Sequence, residues 1–326
     1  MKKNKMWTFI SVGMAFLLLG SVVMSGCKDT EKTSEGAVTA EENEKVTEEV
    51  NGEEATQEEV NKKEENESLT YEGQELVISG STTLLQVSEA WASAFMEKYG
   101  GTIIINGGGS GVGIADLING VSELANSSRE IKDEELEAAK AVGLDVQEYT
   151  ILYDGIAVIV SSNVSVEGLT IEQLSKIYTG EITNWKDVGG DDAEIVIFAR
   201  DSSSGTGEYF LEEVIQLGKT MEDNDYSDMA LRLQSNADVV NQIKENDNAI
   251  GYIGLGYLEE SLKIVKVEGI EPSVDTVKDD SYPISRGLYV YAPGKDLTEI
   301  GQAYINFILS DEGQDIGLEE GFVPLS

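Results

Sequence analysis

Three short stretches hold the residues best suited to gripping a small anion: Gly80-Ser81-Thr82-Thr83, Gly107-Gly108-Gly109-Ser110-Gly111 and Arg200-Asp201-Ser202-Ser203-Ser204-Gly205-Thr206. In each, an apolar, β-branched run ends, small hydroxylated residues follow, and a helical pattern begins. A helix start offers free backbone N–H groups and the positive end of the helix dipole, so each stretch suits an anion. Glycine lets backbone approach a ligand closely, and Ser or Thr adds a hydroxyl donor. Taken singly, each hydroxyl also reads as an ordinary helix cap. Three such loops in one chain, one with an arginine, point beyond capping.

Other chemistries fit less well. A dinucleotide fingerprint fails at the Gly107 to Gly113 stretch, because Val112 and Ile114 stand where its third glycine belongs. The full G-x-x-x-x-G-K-[ST] phosphate-loop pattern does not occur, and neither Ser110 nor Ser204 sits in a G-x-S-x-G elbow. The chain has no histidine, the commonest general base and metal ligand. Its one cysteine, Cys27, excludes an intramolecular disulfide and a thiolate zinc cluster. The expectation is a binding protein, not an enzyme, with no cofactor and no metal.

Positioning three such loops needs strands that end where helices start. Leu76-Val77-Ile78 and Ile103-Ile104-Ile105 read as strands, as do Ile156 to Val160, Ile195 to Phe198, Ile250 to Ile253 and Leu288 to Tyr291. Helical spacing places Leu84, Val87, Trp91 and Phe95 on one apolar stripe, with Trp91 and Phe95 as core. Further helices are expected at Val112 to Val121, Ile171 to Tyr178, Gly207 to Leu217, Ala237 to Lys244 and Leu297 to Leu309. Thr170 with Gln173 forms a capping box, and Gly180 marks the stop of that helix. Trp185 reads as core packing, and so do Tyr252 and Tyr257, for which lining a cleft is the alternative. Alternating strands and helices predict an α/β fold with mainly parallel sheets.

The chain of 326 residues carries 61 acidic and 23 basic side chains, a formal charge of −38. That balance excludes nucleic acid as a partner and charge-driven docking on anionic lipid. Lys2, Lys3 and Lys5 precede an apolar run from Met6 to Leu19, which narrows to Met24-Ser25-Gly26 and meets Cys27. This is the layout of a secretory signal, and the lone cysteine at the cleavage point resembles a bacterial lipobox. Residues 1–26 are expected to be removed, leaving a lipidated Cys27 and a membrane-anchored, extracytoplasmic protein. Lys28 to Thr70 holds fifteen acidic and five basic residues with no aromatic and no proline. Such a segment buries too little to offset its ordering entropy, so 27–71 reads as an acidic tether. Without the three leader lysines and the tether charges, residues 71–326 carry −31.

With these residues in place, a family resemblance emerges. Ile78-Ser-Gly-Ser-Thr-Thr, Gly107-Gly-Gly-Ser-Gly, Ala125-Asn-Ser-Ser-Arg, Asp154-Gly-Ile-Ala-Val-Ile-Val, Tyr178-Thr-Gly-Glu-Ile-Thr-Asn-Trp and Arg200-Asp-Ser-Ser-Ser-Gly-Thr run in order along the chain. Together with Ala249-Ile-Gly-Tyr-Ile-Gly and Pro283-Ile-Ser-Arg-Gly-Leu-Tyr, they resemble the phosphate-binding components of phosphate ABC transporters. The resemblance implies a two-lobed, periplasmic-binding-protein clamshell with the ligand in the cleft. Residues 72–154 and 284–326 would form lobe I, and 155–283 lobe II. It further implies inorganic phosphate as ligand and membrane permease subunits as partners.

Residue by residue, Thr82 and Thr83, with Ser81 beside them, match the first-loop donors, and Ser110 the second. Arg200, Ser204, Gly205 and Thr206 match the second-lobe group, in which the arginine makes a bidentate charged contact. Many family members carry an aspartate where this chain has Ser128, to accept the proton of hydrogen phosphate and so exclude sulfate. Asp154, at the expected crossover, is the substitute acceptor; the plainer alternative is a hinge or turn residue, since Asp-Gly is common in turns. Arg129 either contacts the ligand or braces Ser110 and the cleft wall. The strong negative charge is compatible with an anion: donors in a closed, low-dielectric cleft dominate at short range, while salt screens the rest within about 8–10 Å. Three rival readings stand beside this one. They are a receptor for another tetrahedral oxyanion such as sulfate or molybdate, a phosphate-sensing or adhesive surface lipoprotein, and an enzyme acting on phosphorylated substrates.

Overall fold

The computed structural model describes residues 70–326; the expected signal peptide, Cys27 and the expected tether through residue 69 lie outside the described residues. The chain opens with β1 (Glu75–Gly80), α1 (Leu85–Tyr99), β2 (Thr102–Asn106), α2 (Ser110–Ile118), β3 (Leu124–Ser127) and α3 (Asp133–Ala141). A 14-residue strand, β4 (Gln147–Val160), follows. Next come β5 (Gly168–Leu169), α4 (Ile171–Tyr178), β6 (Val196–Arg200), α5 (Gly205–Phe210), β7 (Leu231–Leu233), α6 (Asn236–Glu245), β8 (Ala249–Gly254), β9 (Lys263–Val267) and α7 (Val274–Lys278). The chain closes with β10 (Ser285–Ala292), α8 (Glu299–Ile308) and α9 (Asp311–Glu319).

The strands run β2-β1-β3-β10-β4-β8-β6-β7, with β9 pairing β4 and β5. Helical crossovers make β1 parallel to both β2 and β3, and β6 parallel to both β7 and β8. Antiparallel pairing gathers on β4 and β10. β10 lies against β3 and β4, and the second half of β4 lies against β8 and β9. The sheet is therefore mixed at its centre and parallel toward both ends. In the β4–β10 ladder, Arg286 stands directly opposite Asp154.

Two main hydrophobic cores result. One gathers residues between Tyr71 and Leu152 with residues from Leu288 to Phe322, including Trp91 and Phe95. The other spans Ile156 to Ile284 and adds Val323, with Tyr178, Trp185, Phe198 and Tyr252 at its centre. Every residue of β8 and of Ile156–Val160 is buried, which explains their unbroken apolar character. The expected capping box is present at α4: Gln173 N donates to Thr170 Oγ1 at 3.1 Å and Thr170 N to Gln173 Oε1 at 2.9 Å.

Several sequence expectations change. Tyr71, expected to end the tether, packs in the first core with its ring centroid 5.8 Å from that of Phe95. The second helix begins at Ser110 rather than Val112 and stops at Ile118, because Gly120 turns the chain at φ 68° and leaves Val121 62% exposed. The helix expected from Gly207 to Leu217 is instead α5 followed by a π-helical turn over Leu211–Ile215. No helix among the described residues is long and apolar enough to cross a membrane.

Candidate functional site

The β1–α1 turn is fixed on β3, since Ser81 N donates to Asn126 O at 2.8 Å. Gly80 permits that approach: a Cβ there would lie 2.1 Å from Asn126 O. Ser81 Oγ donates to Ser128 Oγ at 2.9 Å, and Ser128 N donates to Ser110 Oγ at 3.0 Å. One cluster thus holds hydroxyls from the ends of β1, β2 and β3.

The β6–α5 loop meets this cluster from the other lobe. Thr206 Oγ1 lies 2.7 Å from Thr83 Oγ1, and Ser203 Oγ donates to Gly108 O at 3.0 Å. Ser204 Oγ caps α5 by accepting Gly207 N at 3.1 Å, which leaves its own hydroxyl proton free to donate. Arg200 Nη2 donates to Thr82 Oγ1 at 2.8 Å and to Gln234 O at 2.6 Å. Its Nη1 is buried and has no hydrogen-bond partner among the described residues. An unpaired buried donor of this kind costs on the order of 1–3 kcal/mol unless a ligand accepts from it.

Arg200 is held from behind by tyrosines. Its backbone N donates to Tyr252 Oη at 3.0 Å, Tyr252 and Tyr226 share a 2.6 Å hydroxyl contact, and Tyr226 Oη donates to Gly207 O at 2.6 Å. Phe210 stacks on Tyr252 with centroids 3.9 Å apart. Packing of the second core therefore fixes both ends of the Arg200–Gly207 loop.

All ten residues that the sequence singled out for the ligand are buried and fall in one region: Ser81, Thr82, Thr83, Ser110, Ser128, Asp154, Arg200, Ser204, Gly205 and Thr206. Asp154 is not a turn residue, because it lies inside β4. Its Oδ2 accepts from Arg286 Nη2 at 2.9 Å and Nε at 3.3 Å, and its Oδ1 from Leu255 N at 2.9 Å. Burial pushes this carboxyl up, against the pull of Arg286 and the Leu255 N–H. Arg129 spends its guanidinium on carboxylates rather than on Ser110. It is bidentate to Glu135 at 2.8 and 2.7 Å and reaches Glu208 of α5 at 2.5 Å. Burial works against its charge, but these two glutamates hold its proton more tightly than usual. Lys132 joins Glu208 as well.

Two residues at the site, Arg286 and Asn236, carried no role in the sequence analysis, and Tyr257 was placed there in the core. Arg286 Nη1 donates to Ser128 O at 2.7 Å and its Nη2 to Thr206 Oγ1 at 2.7 Å. Asn236 Nδ2 donates to Thr83 Oγ1 at 3.2 Å. Tyr257, read as core, instead donates its hydroxyl to Thr82 O at 2.6 Å, and burial pushes that phenol up to about 12. Among the described residues, no cluster of acids, cysteine or histidine is placed to hold a metal ion. The region is rich in hydroxyl and guanidinium donors, and its carboxylate, Asp154, is occupied by an arginine. That donor set suits an oxyanion.

Residues 30–312 match the PBP superfamily domain. The chain belongs to that superfamily. Within it, the chain is 33% identical over 254 residues to the phosphate-binding protein PstS of Borreliella burgdorferi, covering 76% of this chain and 89% of that one. It is likewise 33% identical over 263 residues to PstS of Staphylococcus saprophyticus, covering 76% and 79%. These relatives put it in the family of phosphate-binding proteins of ABC transporters. A phosphate ABC transporter substrate-binding protein of Clostridium perfringens, solved with bound phosphate, superposes with a TM-score of 0.71 at 38% identity. It covers 78% of this chain and all (100%) of the other. An ABC-type phosphate transport receptor of Vibrio cholerae gives 0.62 at 29% identity, covering 76% and 99%. For this PBP-superfamily chain, the mixed sheet and two cores described above are those of a two-lobed α/β clamshell.

Proposed function

We propose that this protein captures inorganic phosphate between its two lobes, outside the cytoplasmic membrane, and delivers it to the permease of an ABC transporter without chemically altering it. The observation that carries the reading is Arg200: a buried guanidinium with an unpartnered Nη1 that reaches across to the Thr82 hydroxyl, next to the Thr83–Thr206 contact. The ligand residues are Ser81, Thr82, Thr83, Ser110, Ser128, Arg200, Ser204, Gly205 and Thr206, with Asp154 acting at the same site. The lobes comprise 72–154 with 284–326, and 155–283. The separation of the two cores near Asp154 and Ile284 supports that division. Isothermal titration of the full chain tests the ligand. Phosphate and arsenate should bind, and sulfate should displace phosphate only in large excess. Sulfate or molybdate competing on equal terms would make it a general oxyanion receptor, the reading that Ser128 favours, and no heat with phosphate would end the proposal.

The membrane attachment is proposed on sequence alone. Cys27 is diacylated, and the acidic segment after it spaces the lobes from the bilayer. Because one acyl chain binds marginally and two bind stably, Cys27→Ser should leave phosphate binding intact. It should also move the protein out of the lipidated membrane fraction, as a released or unprocessed form. A lipidated, membrane-bound Cys27→Ser variant would refute the assignment.

A further inference from the structure

We infer that Arg286 is a second cation of the anion site, and that Asp154 acts on the ligand by holding Arg286 there rather than by taking the ligand's proton. The inference rests on the phosphate reading above and deepens it. Arg286 and Asp154 are cross-strand neighbours on the two strands that join the lobes. Their side chains are 2% and 0% exposed, so neither charge is shared with solvent. Four of the five N–H donors of the Arg286 guanidinium have protein partners, which leaves one Nη1 N–H. Nε and Nη2 grip Asp154 Oδ2, Nη1 grips Ser128 O, and Nη2 also reaches Thr206 Oγ1.

That Thr206 hydrogen bond decides its place. Thr206 and Thr83 touch each other across the lobes, and Arg200 reaches the adjacent Thr82. Two guanidiniums therefore converge on one row of threonine hydroxyls, Arg200 from the Thr82 end and Arg286 from the Thr206 end. Asp154 spends Oδ2 on two Arg286 donors and Oδ1 on Leu255 N. Its polar contacts are thus those of a residue that orients an arginine. With Asp154 counted, the site carries one net positive charge, and a dianion binds to fixed, fork-shaped donors instead of a mobile charge.

Asp154→Asn separates three roles by sign. If Asp154 accepted the ligand's proton, phosphate would weaken and sulfate would hold or tighten. If it mattered only as a negative charge, its removal would tighten both anions. As the residue that positions Arg286, its loss should weaken both by the same factor, about tenfold or more. Titrations of the full chain with phosphate, and with sulfate read by displacement of phosphate, would compare wild type, Asp154→Asn, Arg286→Gln and the double variant. We expect the double variant to bind about as weakly as Arg286→Gln alone, because one residue acts through the other. Arg286→Lys, which keeps the cation, should recover part of the affinity that Arg286→Gln removes, a rescue that a purely structural role would not show.

Should Asp154→Asn fail to fold with Arg286 left unpaired, the double variant removes both charges and still decides the matter. Phosphate binding there at wild-type strength overturns the inference. So do selective loss of phosphate in Asp154→Asn, tightening of either anion, or independent, multiplying effects of the two substitutions. Absence of phosphate binding by the wild-type chain would instead remove the underlying reading.

Discussion

Replacing Arg200 with alanine should lower phosphate affinity by about thirtyfold to several thousandfold. Deleting a charge-assisted hydrogen-bond donor from a buried site costs roughly 2–5 kcal/mol, and every 1.4 kcal/mol is tenfold. Arg200 is only 1% exposed, so no solvent takes over its role. Burial pushes its pKa down, yet from an ordinary value so high that it keeps its charge. Lys186, exposed and paired with Asp192, is the control and should change affinity little when truncated. Arg232 is intermediate. It donates to Arg200 O at 3.0 Å and lies over the Tyr226 ring at 3.9 Å, so its removal should loosen the loop and leave the ligand's own donors in place. Titration calorimetry, with melting temperatures to show each variant folded, measures all three. Equal, small effects at Arg200 and Lys186 would overturn the assignment of the Arg200–Thr206 loop.

The hydroxyl loops were legible in the sequence because their signal is local. A strand end, a glycine or serine run and a helix start all lie within a few residues of one another. Arg286 was not, although its string was part of the resemblance. Its partners, Asp154, Ser128 and Thr206, are 132, 158 and 80 positions away, and only the fold brings them together: the β4–β10 register supplies Asp154, the end of β3 Ser128 and the start of α5 Thr206. The turn alternative for Asp154 fails for a related reason. Asp-Gly marks turns as a dipeptide, but here Gly155 has no turn to make and continues a strand packed against Val277 and Leu255. Tyr257 shows a third limit. A half-buried tyrosine carries the same sequence signature whether its hydroxyl ends in a core or on a cleft loop. Asn236 stood one residue before the helix expected from Ala237, whereas it opens α6, and that first-turn position turns its amide toward Thr83.

Gly205→Val should weaken phosphate binding by about tenfold to a hundredfold while leaving each lobe folded. A Cβ on Gly205 would stand 2.3 Å from Ser110 Oγ, 2.8 Å from Ser128 Oγ and 2.9 Å from Ser110 Cβ. Ser110 and Ser128 are both fully buried and hydrogen-bonded to each other, so neither can swing aside cheaply. The strain is relieved most easily by moving the β6–α5 loop away from the first lobe. That motion breaks the Thr83–Thr206 and Ser203–Gly108 hydrogen bonds and carries Arg200 away from Thr82. Overpacking of this kind costs typically 1–3 kcal/mol, here borne by the closed form alone, because Gly205 faces the cleft rather than either core. The melting temperature without phosphate should thus move little, while the stabilisation that phosphate adds should shrink. Small-angle scattering gives the second readout: phosphate should compact the wild-type chain more than the variant. Gly205→Ala, with a smaller excess, should fall between the two. Wild-type affinity in Gly205→Val would mean that the lobes do not meet at this glycine when phosphate is held.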